Sequence, residues 1–185
     1  MWYPSDGEAD IMNINNKAGF KQLMWNRRNL YHFFARFFQK EIDEEFYEQL
    51  KHIEFPADCE ENALTEFQDA LRRLNEYFEY DAGESLDDLA ADYAKTFLGA
   101  GSAQAEAAFP YESVYTKKIM MQDAWNQVCE IYEAKGIERN AEAGDLLEDH
   151  IAMEMEFMAY LCDETSRYTE TLAGLEELRE FLNKH

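Results

Sequence analysis

Residues 144–166 read GDLLEDHIAMEMEFMAYLCDETS. Leu147, Ile151, Met155, Met158 and Cys162 recur at three- and four-residue spacing, the period of one face of an α-helix. No proline or glycine comes after Gly144 within the run, so no backbone break is dictated locally. A helix over 144–166 is therefore expected. Asp149, His150, Met153, Glu154, Phe157, Met158 and Leu161 fall on its adjoining faces. That places a polar patch beside an apolar floor. His150 and Glu154 stand one turn apart, within hydrogen-bond reach.

The same period extends outward in both directions. Over 16–40, Phe20, Leu23, Met24, Leu30, Phe34, Phe37 and Phe38 mark a long first helix. Asp43 can cap a short second helix bearing Phe46, Leu50 and Ile53, and Pro56 breaks the chain after it. Over 60–80, Leu64, Phe67, Leu71, Leu74 and Phe78 form a third stripe, and Asp81-Ala82-Gly83 is a turn. Ser85, with Asp88 in the capping-box position, opens a fourth helix carrying Leu86, Leu89, Ala90, Tyr93 and Phe97. A fifth over 116–135 carries Met121, Ala124, Trp125, Val128, Ile131 and Tyr132, and Gly136 stops it. The last, over 169–183, carries Leu172, Leu175, Leu178 and Leu182. With 3 prolines and 8 glycines in 185 residues, breakers are scarce. The expectation is an all-α, single-domain helical bundle of about seven helices over 16–185, behind a loose lead-in over 1–15.

The charge balance restricts the partners. Asp and Glu total 39, Lys and Arg total 17, and the net charge is −22. Such a field repels a phosphate backbone, so nucleic acid is excluded, and it attracts basic ligands. Cys59, Cys129 and Cys162 are odd in number and contain no C-x-x-C pair, which points to free thiols. Residues 1–15 are acidic and lack an apolar run, and no stretch has the length of a membrane span. A cytoplasmic protein without stable membrane insertion is expected. Asn26-Arg27-Arg28-Asn29-Leu30 looks like an export motif, but His32 and Arg36 interrupt the stretch that should be apolar, and it reads as amphipathic helix.

The residues offer little catalytic chemistry. A di-iron bundle needs Glu-x-x-His pairs, and the chain has none; Glu148 and His150 are two apart and diverge. Ser113 lacks a glycine-bounded elbow, and Gly99-Ala100-Gly101 precedes no G-K-[ST]. No catalytic residue, metal ligand or cofactor is expected, and the chain reads as a binding protein rather than an enzyme. The distinctive segment is 99–115, GAGSAQAEAAFPYESVY, the longest expected loop.

Two motifs bring a family into view. Tyr93-Ala94-Lys95-Thr96-Phe97-Leu98-Gly99 followed by Phe109-Pro110-Tyr111-Glu112-Ser113-Val114-Tyr115 resembles the Y-x-x-x-F-x-G … P-Y-E-S-x-Y stretch of TorD/DmsD-type, NarJ-related chaperones. Glu148-Asp149-His150-Ile151-Ala152-Met153-Glu154-Met155-Glu156-Phe157-Met158 resembles their E-P-x-D-H-x-x-x-E-x-x-F-M helix. The family's Glu-Pro is replaced by Leu146-Leu147; Asp145 is the nearest substitute acid, and loss of the proline lets the helix begin earlier. The resemblance implies a TorD-like fold. It also implies a cytoplasmic chaperone, monomeric or domain-swapped, that binds the twin-arginine signal peptide of a molybdenum-cofactor oxidoreductase precursor until its cofactor is inserted. The alternative is an assembly chaperone acting on a mature client without such a peptide. On the first reading Tyr93, Phe97, Pro110, Tyr111, Phe157 and Met158 build the apolar surface. Glu112, Asp149 and Glu154 face the arginines, and Ser113 and His150 tie the loop to the helix.

Overall fold

Thirty-four residues without a proline, Asp6–Gln39, form α1. Nothing in that run removes a backbone donor, so its hydrogen-bond ladder continues from end to end. The computed structural model describes residues 6–53, 65–79, 85–101, 107–138, 146–167 and 171–185. Among them, α1 is succeeded by α2 (Glu44–Lys51), α3 (Thr65–Glu79), α4 (Leu86–Phe97), α5 (Glu112–Lys117), α6 (Asp123–Ala134), α7 (Ile151–Arg167) and α8 (Thr171–Lys184). The described residues form no strand, only one isolated antiparallel bridge between Tyr111 and His150. The all-α expectation is borne out.

The chain divides into two compact units: α1 together with the residues from Pro110 onward, and Lys40–Phe109. In the first, α7 packs along α1 and against α8, and α5 lies beside α6. Its core holds Met24, Val128, Tyr132, Phe157, Met158, Leu161, Cys162, Leu178 and Phe181. Cys129 and Cys162 are free thiols. The second unit rests on local signals. Asp43 accepts a hydrogen bond from the Phe46 N–H at 2.9 Å and starts α2, which buries Phe46 and Leu50. Ser85 and Asp88 form the expected reciprocal capping box on α4. Gly99 stands at φ +71, where a Cβ would also meet the Phe109 ring at 3.2 Å, so a side chain there would be strained and glycine is favoured after α4. No described helix is long and apolar enough to cross a membrane.

Four expectations are corrected. The first helix, expected over 16–40, begins at Asp6. The helix expected over 116–135 begins only at Asp123 as α6, because Lys118 and Met121 adopt left-handed backbone at φ 60 and 58, and α5 (Glu112–Lys117) starts inside the segment expected as loop. That bend leaves Met121 51% exposed instead of on a buried stripe. On α1, Leu23 and Leu30 are exposed, and Met24 and Ala35 take the buried positions. Finally, α7 starts at Ile151 and not earlier, because the backbone just ahead of it is bonded to a distant segment. Pro56, Cys59, Leu64, Asp81-Ala82-Gly83 and Asp145 lie outside the described residues, as do the side chains of Phe67, Leu71, Phe78 and Leu172.

Candidate functional site

Within the first unit, Pro110–Ser113 lies as a strap across the entry to α7. The Glu112 N–H donates to the Asp149 C=O at 3.0 Å, and the Ile151 N–H donates to the Pro110 C=O at 2.9 Å. Proline suits this position because it lacks an N–H and still offers a carbonyl. The Asp149 side chain adds a third tie: its Oδ2 accepts from the Ser113 N–H at 3.0 Å. These bonds use the Asp149 carbonyl and the Ile151 amide, so the helix cannot extend back through Asp149. Removal of the family's proline does not lengthen the helix, because the strap sets its start.

His150 caps α7. Its carbonyl accepts from the Met153 and Glu154 N–H groups, and its Nδ1 accepts from the Ala152 N–H at 3.1 Å. The acceptor role requires Nδ1 to be unprotonated. The Tyr111 ring packs edge-on against the imidazole, centroids 4.9 Å apart. Burial lowers His150 from its ordinary value of 6.5 to about 4, against a smaller opposing pull from Asp149. Because the folded value is depressed, the contribution is complete above pH 6.5 and is lost as pH falls toward 4. Wild type should lose about 2–3 kcal/mol between neutral pH and the mid-fours. His150→Asn keeps a capping acceptor and cannot titrate, so it should lose less. Urea denaturation of both proteins across that range checks the difference.

A second cluster lies beside the strap. Glu112 meets the His185 Nδ1 through its Oε2 at 2.7 Å. Glu154 neighbours Glu112, and burial first, then Glu112 and Asp149, push its carboxyl up to about 8. Glu148 accepts from the Trp125 Nε1–H at 2.6 Å, and the Glu148 carbonyl accepts from the Tyr132 hydroxyl at 3.4 Å. These contacts hold the turn ahead of α7 against α6.

The structure brings Pro110, Tyr111, Glu112, Ser113, Asp149, His150 and Glu154 together. Tyr93 and Phe97 sit on α4 in the other unit, with their rings 5.2 Å apart. Three roles change. Asp149 is 0% exposed and bonds the Ser113 amide of the strap, so it does not face solvent. Phe157 and Met158 are buried in the core and do not offer an apolar surface. His150 bonds the α7 backbone, not the Glu154 side chain. His185, Trp125 and Glu148 are the residues that sequence reasoning missed. His185 and Trp125 reach the site from other elements, where no local spacing announces them, and Glu148, next to Asp149, shows its role only through its bond to Trp125.

Comparison with known families matches residues 60–185 to the nitrate reductase delta subunit family. The chain belongs to that family. It is a family of NarJ/TorD-type chaperones that act in molybdoenzyme maturation, in agreement with the resemblance carried by the strap and the Asp-His helix. In the nitrate reductase delta subunit family this chain is recognised over both motifs, because residues 93–99, 109–115 and 148–158 all lie inside the matched span. No curated protein and no solved structure is detectably similar.

Proposed function

We propose that this chaperone works in the cytoplasm and binds the twin-arginine signal peptide of a molybdenum-cofactor oxidoreductase precursor, holding it until the cofactor is inserted. The observation that carries the reading is the pinned strap, which fixes Glu112 beside Glu154 at the edge of α7. Two carboxyl groups side by side suit a guanidinium, which can be gripped bidentately, and an arriving arginine would favour release of the proton that burial keeps on Glu154. The field of a chain at −22 speeds the approach of a basic peptide. Exposed Tyr115, Ile119 and Met121 come after the strap and offer adaptable apolar contact to the rest of such a peptide.

Calorimetric titration with a twin-arginine peptide, and with its twin-lysine counterpart, tests this. The expected result is micromolar binding by the arginine peptide and at least about tenfold weaker binding by the lysine peptide, which cannot make the planar fork. Glu112→Gln should weaken the arginine peptide alone. The description of the family as an enzyme subunit favours one second reading, a chaperone that acts on the mature enzyme. Failure of every such peptide to bind, with capture of a leaderless client, would establish that reading instead.

A further inference from the structure

We propose that Glu112, Glu154 and His185 form a site for a divalent transition metal of the zinc type. The three residues come from three elements: the first residue of α5, the first turn of α7, and the residue after α8. One donor atom from each lies within 4.8 Å of the others. His185 Nδ1 is already 2.7 Å from Glu112 Oε2. The imidazole is held in place: its side chain is 1% exposed and its ring lies 4.8 Å from that of Phe181.

Two further atoms point to a missing partner. His185 Nε2 and Glu154 Oε1 are both buried without a hydrogen bond. A buried polar atom left unpaired costs about 1–3 kcal/mol, so native proteins seldom keep one without a use. Of the two, Glu154 Oε1 belongs to the carboxyl that faces the cluster, and a cation that accepts its lone pair supplies the partner it lacks, with His185 contributing one ring nitrogen. The donor set selects the cation. Magnesium and calcium take oxygen ligands, and more of them than this cluster offers. One imidazole and two carboxylates suit zinc, which binds them at about 2.0–2.2 Å. Tetrahedral donors on one zinc stand about 3.4 Å apart, so rotation of side chains closes the site without moving a helix. Three protein ligands leave a fourth position for water or a client group. Bound metal would join the end of α8 to the strap and to α7.

The test uses the full chain stripped with chelator, no peptide, and zinc sulfate titrated in excess magnesium to mask diffuse acidic binding. Zinc and an arginine would compete for Glu112 and Glu154, so the inference shares residues with the signal-peptide reading; with no peptide present, zinc uptake succeeds or fails separately from it. The expected result is one zinc per chain, bound at least about tenfold more weakly in Glu154→Gln and in His185→Ala. His32→Ala, at an exposed ion pair with Glu156, should bind as wild type does. X-ray absorption of the wild-type complex should show a nitrogen and oxygen shell without sulfur, which separates this cluster from Cys129 and Cys162. Absence of saturable uptake, a sulfur-containing shell, or undiminished binding in both variants would overturn the assignment. Should His185→Ala fail to fold, the isosteric Glu154→Gln and the wild-type shell still decide.

Discussion

Phe157→Ala is expected to destabilise the protein by about 3–5 kcal/mol, the range for truncating a buried phenylalanine. Phe157 is 4% exposed. Its ring lies 4.8 Å from both Tyr132 and Phe181 and 5.9 Å from Tyr160, so it joins α6, α7 and α8 in one aromatic group. Truncation removes the transfer energy of the ring and leaves a cavity between three helices that cannot all close at once. Phe157→Leu keeps much of the volume and should cost less. Urea unfolding at neutral pH checks this, with the midpoint falling and the slope unchanged. The contrary result is also informative. A loss below about 1 kcal/mol, the size seen for surface changes, together with loss of peptide binding, would return Phe157 to a ligand groove.

The contrast between Phe157 and its sequence reading shows what periodicity can deliver. The stripe Leu147, Ile151, Met155, Met158 and Cys162 correctly announces a helix, because spacing alone decides that. It does not say how many sides are covered. In the structure α7 also buries Ala152, Phe157, Ala159, Leu161 and Thr165, since α1 and α8 both pack on it. The caps at Asp43 and Ser85 were legible because a cap is a contact across three residues. The start of α7 was not, because it is set by Pro110 and Glu112, far away in sequence. The same distance hides the cluster at Glu112, Glu154 and His185. A search for metal ligands at helical spacing finds nothing there, although folding brings the three together. Motif resemblance singled out the strap and the Asp-His pair, which folding brings together, but not the buried bond by which Asp149 holds the Ser113 amide.

Asp149→Ala should cost about 3 kcal/mol and weaken peptide binding by more than about tenfold, whereas Asp149→Asn should do little to either. The argument starts from burial. Asp149 and Ser113 are both 0% exposed, and the Ser113 N–H has the Asp149 Oδ2 as its acceptor. Alanine leaves that N–H buried and unpaired, and a hydrogen bond to a charged group is worth about 1.5–3 kcal/mol. The backbone bonds from Glu112 and Ile151 remain, so the helices persist. The strap loses its third tie, and Glu112 loses its fixed place beside Glu154. Asparagine retains a carbonyl oxygen where Oδ2 stands and can keep the strap closed. On this argument Asp149 positions the strap through its bond to the Ser113 amide. Hydrogen exchange at the Ser113 amide separates the two roles: it should accelerate in the alanine variant and stay slow in the asparagine variant. If Asp149→Asn kept that amide protected yet abolished binding, the carboxylate itself would be meeting the arginine, and the strap would have to open to admit it.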